Sequence, residues 1–291
     1  MCQLKKMLVV EIQGNNMYQV AGQAGRWATH LGDPAMRQSA PAFGSASAVK
    51  AILEAAQRDL ADLIVCPASR RHPVLERVAP SCATQIARTS RMPVLLVNRM
   101  PATEYRTVVV ATDFSQASID AAKTAVALAP FAHFIFLHAH RLPDERLMRE
   151  LELPFNVIAA YCESGRLAAL QRLDVLRARF ESGIRSSSCV VRPGNPGRVL
   201  EEFARSSHAD LIVIGKPKGN AWAWRIGGSC VPGLISRPYC DVLLGAIDGI
   251  AESGRRRARE RLAAFGKAAF AGGVTPRAHP ERRESSTPEE A

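Results

Sequence analysis

The stretch Ala61-Asp62-Leu63-Ile64-Val65 recurs letter for letter as Ala209-Asp210-Leu211-Ile212-Val213, 148 positions further along the chain. The same shift aligns Val94-Leu95-Leu96 with Val242-Leu243-Leu244 and gives 13 identities over the 54 positions from Gly44 to Val97. A repeat of this length predicts a duplicated domain, because the units of solenoid proteins recur every 20 to 50 residues or so. Function must therefore be considered for each copy separately.

The composition indicates a globular protein with two modest cores. The chain has 291 residues, of which 47% are hydrophobic, and a length in this range predicts roughly two domains. A membrane span needs a run of about 18 apolar residues, which the sequence lacks. The apolar run Met7 to Val10 ends at Glu11, too early for the core of a signal peptide. We therefore expect a cytoplasmic protein without a membrane span.

Seven cysteines are scattered along the chain without a CxxC or Cys/His ligand spacing. The pattern predicts neither a disulfide framework nor a metal site, and the thiols should be reduced and mostly packed. Cys82 and Cys230 hold equivalent positions in the two copies. This equivalence is compatible with a shared redox role or, as we expect, with two small buried hydrophobic residues.

The formal charge of +11 is spread along the chain: +6 over residues 1–100, +3 over 101–247 and +2 over 248–291. No domain is therefore predicted to bind nucleic acid through a basic surface. The dense cluster Arg255-Arg256-Arg257, with Arg259 and Arg261, could contact nucleic acid or anionic lipid. A solvated basic helix is the better interpretation, since no base-stacking aromatic residues accompany the charges.

The second copy alternates strand-like and helix-like hydrophobic periods. Ser115 and Asn195-Pro196 are typical of helix starts, and a long helix is predicted to place Leu167, Leu170, Leu173, Leu176 and Phe180 on one side. Strands separated by helices require right-handed crossovers and a parallel sheet covered on both faces. We predict a doubly wound, open, parallel five-stranded α/β sheet with the strands Thr107–Ala111, Phe134–Ala139, Cys189–Val191, Leu211–Ile214 and Val242–Leu244.

The first copy is shorter between its leading strand, Leu8-Val9-Val10, and the repeated ADLIV segment. For a strand order of 3-2-1-4-5, we predict that this copy lacks edge strands 2 and 3, and that residues 33–47 form the replacing loop. Such a deletion would uncover an edge on strand 1 that something must shield. The predicted division is a truncated domain at 1–100, a complete domain at 101–247 and a basic, largely disordered tail at 248–291.

The candidate site follows from the predicted topology. Open parallel sheets bind ligands at the carboxyl ends of strands where the strand order reverses, here between strands 1 and 4 of the second copy. The segments that meet there are Ala111–Ser115 and Gly215–Ser229. Asp113 is placed to accept a hydrogen bond from a ribose hydroxyl or a base amine.

The second segment predicts a phosphate site. Gly215 permits a close backbone approach, and Gly228-Ser229 opens a helix whose unpaired N–H groups favour phosphate oxygens. Lys216 and Lys218 add positive charge to the loop between them.

The order of these motifs resembles the universal stress protein family. V-V-V-A-T-D-F-S at Val108–Ser115 precedes A-D-L-I-V-I-G at Ala209–Gly215, then Gly228-Ser229, then the closing D-V-L-L at Asp241–Leu244. The resemblance spans residues 7–247 in a tandem arrangement. It implies strand order 3-2-1-4-5, pairing of the two units through their last strands, and, in one subgroup of the family, ATP, with its Mg²⁺, bound through a loop of pattern G-2x-G-9x-G-[S/T].

Carried onto this sequence, the pattern departs at one position. Gly215 matches the first glycine, Lys218 stands where the second is expected, and Gly228 and Ser229 match the end. The middle glycine is displaced by one position to Gly219. The remaining nucleotide contacts implied by the resemblance are Ala111, Thr112, Asp113, Ala139, Ile214, Lys216 and Cys230.

The first copy lacks this glycine pattern. Pro67 stands at the position of Gly215 and Pro80 at the position of Gly228, and proline offers no N–H to a phosphate. We predict that this copy does not bind nucleotide and instead pairs with the second one. Its strand Val94–Val97 should lie against Val242–Leu244, which makes a pseudo-dimer within one chain; a further homodimer is left open.

Three functions fit these features. The first is a stress-response regulatory protein that binds ATP or another adenine nucleotide in the second copy and acts on an unknown protein partner. The second is a slow ATP hydrolase or phosphotransferase, although no Walker-type spacing and no nucleophile paired with a base are present. The third is an adaptor without a ligand. His138 and His140, and likewise Trp222 and Trp224, are interpreted as packing residues rather than as metal or adenine ligands.

Overall fold

The computed structural model describes residues 4, 6–12, 36–40, 46–69, 79–98, 104–140, 154–216 and 240–247. Residues Met1–Ala251 form one compact unit. The second unit, Glu252–Ala291, lies outside the described residues, and so does the predicted disordered tail.

Nine strands and five α-helices make up the described part of the chain. The strands are β1 (Met7–Ile12), β2 (Met36–Ala40), β3 (Leu63–Pro67), β4 (Val94–Val97), β5 (Thr107–Ala111), β6 (His133–His140), β7 (Ser186–Pro193), β8 (Leu211–Lys216) and β9 (Asp241–Ile247). The helices are α1 (Ala46–Arg58), α2 (Cys82–Thr89), α3 (Gln116–Leu128), α4 (Phe155–Ala178) and α5 (Pro196–Ser206). A short 3-10 helix, Glu181–Gly183, follows α4.

All nine strands belong to one sheet in the order β2-β1-β3-β4-β9-β8-β5-β6-β7. Every neighbouring pair is parallel except β4 and β9. The predicted α/β class with a mostly parallel open sheet is confirmed. The second half of the sheet runs β7-β6-β5-β8-β9, which is the predicted 3-2-1-4-5 arrangement.

Helices cover the two faces of the second half. The core on one face packs residues of α3 and α4 against β5, β6 and β8, and the core on the other face packs α5 against the same strands. The central residues of β5, β8 and β9 are buried on both faces of the sheet. This burial explains the nearly unbroken apolar runs Leu211–Val213 and Val242–Leu244. The predicted caps are present: Ser115 Oγ accepts from Ser118 N, and Asn195 Oδ1 accepts from Gly197 N.

The prediction that the first half lacks both edge strands is wrong for one of them. Strand β2 pairs in parallel with β1, from Leu8↔Met36 to Ile12↔Ala40, inside the segment that was predicted to be a loop. Its sequence Met-Arg-Gln-Ser-Ala is mainly polar, so its hydrophobic pattern was too weak to indicate a strand. Backbone pairing, which leaves no signal in the sequence, shields the edge of β1.

The two halves meet through β4 and β9, as predicted. These strands are antiparallel, with Val94↔Leu244, Leu95↔Leu243 and Leu96↔Val242 in register. A buried polar network closes the junction, because Asp241 accepts from Asn98 N at 2.8 Å and from Tyr105 Oη at 2.7 Å. Burial, reinforced by the Asp241 carboxylate, raises the pKa of Tyr105 well above its ordinary value.

The repeated ADLIV segment has the same structural role in both halves. Asp62 Oδ2 accepts a hydrogen bond from Lys6 N at 3.1 Å, and Asp210 Oδ2 accepts from Arg106 N at 2.9 Å and Thr107 N at 3.0 Å. Asp62 thus connects the start of β3 to the start of β1, and Asp210 connects the start of β8 to the start of β5. The preceding turns also match, since Leu60 and His208 both have positive φ, 55° and 49°.

Helix α4 differs from the prediction at one residue. Leu173, Leu176 and Phe180 are buried, but Leu167 is exposed. Side chains three residues apart on a helix point in directions that differ by about 60°, because three residues fall short of a full turn. Four leucines spaced this way therefore span half of the circumference. The buried side is instead formed by Ile158, Ala169, Leu173 and Leu176. Among the described helices, none combines the length and the hydropathy that a bilayer-crossing segment requires.

Candidate functional site

The candidate site lies at the carboxyl ends of β5, β6 and β8. Strand β5 is central, with Ala111 in register with Leu137 of β6 on one side and with Ile214 of β8 on the other. The chain leaves β5 toward α3 on one face of the sheet and reaches β8 from α5 on the opposite face. This is the reversal point at which ligands of open α/β sheets bind.

The turn between β5 and α3 is held by Thr112, which is buried. Its hydroxyl accepts from Phe114 N at 3.0 Å and lies 3.0 Å from the Ser118 hydroxyl, and its N–H donates to Leu137 O at 2.9 Å. The hydroxyl and the N–H of Thr112 are therefore both occupied by contacts within the protein.

Asp113 is exposed at the edge of the sheet. Its Oδ1 accepts hydrogen bonds from Ser115 N at 3.0 Å and from the Ser115 hydroxyl at 2.5 Å. Partial burial works to raise the pKa of Asp113, but the hydrogen bonds from Ser115 outweigh it, and the pKa is lowered. A carboxylate has about four acceptor positions, so this ionised group can accept further hydrogen bonds from a ligand.

A stack of three side chains stands beside Asp113. Phe114 has a positive φ of 66°, and its ring lies 4.6 Å from the His138 ring and 4.2 Å below the Arg172 guanidinium. His138 Nδ1 is 2.9 Å from Thr112 O, to which it donates, and burial lowers the pKa of His138. These contacts are compatible with the interpretation of His138 as a packing residue, which stays a prediction. The sequence did not indicate that Phe114 and Arg172 take part in this stack, because Arg172 lies 58 positions after Phe114 and belongs to α4.

Gly215 is explained by helix packing. A Cβ at this position would lie 2.5 Å from Ser118 N and 2.6 Å from Ala117 C, so any side chain would collide with the backbone of α3. Gly245 on β9 behaves similarly, since its Cβ would lie 2.7 Å from Ala121 Cβ. The close approach that was predicted for Gly215 is therefore an approach to the first turns of α3.

The predicted role of the Lys216 side chain at the phosphate loop is wrong. This side chain is 1% exposed, and its Nζ donates to Ser90 O at 3.1 Å and Met92 O at 3.4 Å, both in the first half of the chain. Burial lowers the pKa of Lys216 to about 7. The strand alternation turns this lysine toward the interior, where it contacts the carbonyl groups that precede β4, so its charge cannot serve the loop that follows.

The other predicted residues are divided between described and undescribed parts of the chain. Ala111, Ala139 and Ile214 are partly buried against the α5 side of the sheet, close to the site edge. Lys218, Gly219, Gly228, Ser229 and Cys230 lie outside the described residues, with Trp222 and Trp224. His140 was not predicted to take part; its Nε2, at the same end of β6, is buried and has no hydrogen-bond partner among the residues that the structure describes.

The described residues contain no group of three or more His, Cys, Asp or Glu side chains that could bind a metal ion. Magnesium commonly binds through one or two carboxylates together with substrate phosphates. Asp113 is the carboxylate that the described edge offers, so a Mg²⁺ here would depend mainly on the phosphates of a nucleotide.

Residues 104–244 match the model of the universal stress protein family. No curated protein matches the chain. Among solved structures, a functionally unknown protein from Pseudomonas aeruginosa PAO1 is 13% identical with a TM-score of 0.50, covering 88% of this chain and 98% of that one. A universal stress protein from Archaeoglobus fulgidus DSM 4304 is 16% identical with a TM-score of 0.47, covering 84% and 86%.

A further structure is of a universal stress protein in complex with cAMP. It is 25% identical with a TM-score of 0.35 and covers 49% of this chain and 97% of its own. The likeness to the Pseudomonas protein shows the fold alone. The family match covers β5 to β9 with the helices between them, which is the part of the chain that carries Asp113, Gly215 and the rest of the candidate site. Residues 104–244, just under half of this chain, are therefore the part that is similar to the universal stress protein family.

Proposed function

We propose that the chain is a stress-response regulatory protein that binds ATP or another adenine nucleotide at the carboxyl ends of β5, β6 and β8. The observation that carries the proposal is the position of Asp113. It is an exposed, ionised carboxylate on a hydrogen-bonded turn, at a point of the described second half where α3 and α5 lie on opposite faces of the sheet.

The surroundings of Asp113 suit a nucleoside. Ala111 is the last residue of β5 and Ala139 the last but one of β6, and their small, partly buried side chains would leave an apolar surface for a flat base. Asp113 would accept hydrogen bonds from ribose hydroxyls or a base amine. The phosphates would lie at the segment from Lys218 to Ser229, where the order of glycines supports a phosphate loop.

Regulation requires that a ligand bind two states of the protein with different affinity. The proposed phosphate loop begins directly after Lys216, whose ammonium group is fastened to carbonyl groups of the first half. A change in the loop would therefore act on the junction of the two halves. A cytoplasmic location remains the expectation from the sequence.

Two observations favour a second candidate, the adaptor without a ligand. Gly215 and Lys216, which the sequence assigned to the phosphate loop, both have structural roles in the described fold. The hydrolase alternative is less favoured, because a carboxylate with a lowered pKa is a weak general base near neutral pH.

A thermal-shift series on the full chain with ATP, ADP, AMP and cyclic AMP, each with and without Mg²⁺, tests the proposal. A nucleotide present at 100 times its Kd should stabilise the protein by about 2.7 kcal/mol. We expect Asp113→Ala to remove this shift. Asp120→Ala is the matched control, since it removes a carboxylate from α3, the helix that follows Asp113, where Asp120 contacts Lys123 and Gln116.

The control variant should keep the full shift. If no nucleotide at millimolar concentration raises the melting temperature, and the purified protein carries none, the adaptor function is correct and the nucleotide proposal is wrong.

A further inference from the structure

Helix α4 carries an unusual share of the exposed apolar surface. Seven large hydrophobic side chains are exposed among the described residues, and five of them lie on this one helix: Phe155, Val157, Tyr161, Leu167 and Val175. Val175 alone is 64% exposed. Single exposed apolar residues are ordinary, but a concentration on one element is typical of a contact surface for another molecule.

A groove runs along this helix. Its volume is about 500 Å³, and it lies between α4 and the start of α3. Phe114 and Ile119 form one wall, Ala168 and Leu176 contribute apolar atoms from α4, and Val175 stands at its rim. The small side chain of Ala168 leaves room for a close approach of another backbone or side chain.

The spacing of four residues on α4, of which Ala168 and Val175 line the groove and two lie nearer the start of the helix, suits a helical partner. Val157, Tyr161, Ala168 and Val175 follow one another at intervals of four and seven residues. At 100° per residue they lie within about 40° of one another around the helix, on a line parallel to its axis. A narrow line of this kind is the seam on which an amphipathic helix packs its apolar face.

The charges along the seam have one sign. Arg172 and Arg179 line the groove, together with Gln171, and no acidic residue of the described part of the chain does. Among the described residues, neither arginine forms an ion pair; Arg172 lies over the Phe114 ring. The arginines on a different side of α4 are matched, since Arg166 pairs with Glu163 at 2.7 Å and Arg177 pairs with Glu181 at 2.9 Å.

We propose that this groove binds an acidic amphipathic helix of a partner protein. Apolar side chains of that helix would pack on the seam formed by Val157, Tyr161, Ala168 and Val175, and its carboxylates would pair with Arg172 and Arg179. A second copy of this chain is a poor occupant, because two molecules with a formal charge of +11 each repel one another. The inference stands independently of nucleotide binding.

The test measures binding of a synthetic probe to the full chain by fluorescence anisotropy. The probe is an amphipathic helix of leucine and glutamate, about five turns and 18 residues long, and its counterpart has lysine in place of glutamate. We expect the acidic peptide to bind and the basic one not to bind. The double variant Arg172→Gln/Arg179→Gln should weaken binding by about 10-fold or more, as expected for losing two charged partners in a partly desolvated groove.

The matched control is Arg166→Gln/Arg177→Gln, which removes the same charge from the ion-paired side of α4 and should change the affinity by less than about twofold. Val175→Ser, a change at the exposed rim, should also weaken binding without loss of folding. Equal binding of the acidic and the basic peptide would overturn the proposal, even if the Arg172→Gln/Arg179→Gln variant did not fold. An equal loss of affinity in Arg166→Gln/Arg177→Gln would also overturn it.

Two other occupants are outcomes of the same test. Pelleting of the chain with phosphatidylserine vesicles but not phosphatidylcholine vesicles, lost in Val175→Ser, would assign the surface to a membrane. A dimer in analytical ultracentrifugation that Val175→Ser dissociates would assign it to a second copy. Either result would replace the acidic helix.

Discussion

The two halves of the sheet contain equivalent strands, but they differ at the positions where a helix packs against these strands. In the second half, Gly215 and Gly245 let α3 lie almost directly on the backbone of β8 and β9. At the equivalent positions of the first half stand Pro67 and Val97, both buried. A helix at the distance of α3 would collide with these side chains. The candidate site is formed by the first turn of α3, so the half with the glycines is the half that can form it.

A further feature of the first half concerns the start of α2, the helix that follows its loop. In the first half, Ser81 caps α2, and its hydroxyl accepts from Thr84 N at 3.2 Å. Pro80, which has no N–H, precedes it. The Thr84 N–H, which lies at the helix start where a phosphate would bind, thus already donates to the Ser81 side chain. This arrangement supports the prediction that the first half does not bind nucleotide.

The largest expected effect comes from placing a side chain at the helix contact. Gly215→Ala should lower the free energy of unfolding by about 3 kcal/mol, because its Cβ would lie 2.5 Å from Ser118 N and backbone atoms cannot move aside. Urea unfolding followed by circular dichroism measures the change. The control is Gly183→Ala, whose Cβ would lie 3.2 Å from the side-chain atom Val126 Cγ1, which can shift. Equal effects of the two variants would contradict the packing role of Gly215.

A smaller effect, dependent on pH, tests the connection between the halves. The pKa of Lys216 is about 7 in the folded protein and near 10.5 in the unfolded chain. Between these values the unfolded chain binds more protons, so the contribution of Lys216 to stability rises with pH, by about 1 kcal/mol per pH unit. The free energy of unfolding of the wild type, relative to Lys216→Met, should therefore increase from pH 6.5 to pH 8.5.

Subtracting the values for Lys216→Met removes the titration of other groups from this comparison. A difference that stays constant over the two pH units would show that the lysine titrates normally, and that its ammonium group is not confined between the halves.

The smallest effect sharpens what the halves have in common. Asp62→Ala should destabilise the protein by about 1 kcal/mol and Asp210→Ala by about 1.5 kcal/mol, because they remove acceptors for one and two backbone N–H groups. Chemical denaturation of both variants gives the comparison. If only one of the substitutions is destabilising, the repeated motif does not have the same structural role in both halves.

Much of the fold was predictable because local signals agree with one another. These signals are the apolar runs of the buried strands, the caps Ser115 and Asn195, and the repeated ADLIV segment. Each lies in an element whose structure depends on neighbouring residues in the chain. The pairing of β4 with β9 was predictable from the family resemblance. Strand β2 was missed, because an edge strand with a polar sequence owes its structure to backbone hydrogen bonds with β1.

The candidate site was predictable only in part. Asp113 follows a buried strand, and its position at the sheet edge could be derived from that fact. The direction of the Lys216 side chain could not, because strand alternation shows that it points to one face but not which atoms of the other half it meets. The stack of Phe114, His138 and Arg172 joins residues far apart in the chain, and nothing in their spacing indicates contact.

The sequence by itself determined the α/β class and, through the family resemblance, the strand order of the second half, which puts the carboxylate at its reversal point. The α/β class arises from hydrophobic periodicity and turn chemistry, which act between near neighbours. Only the tertiary structure decided that Gly215 accommodates a helix, that Lys216 joins the two halves, and that α4 presents an unpaired basic and apolar groove. Those roles depend on which distant atoms come within a few ångströms, and packing of the whole chain sets these distances.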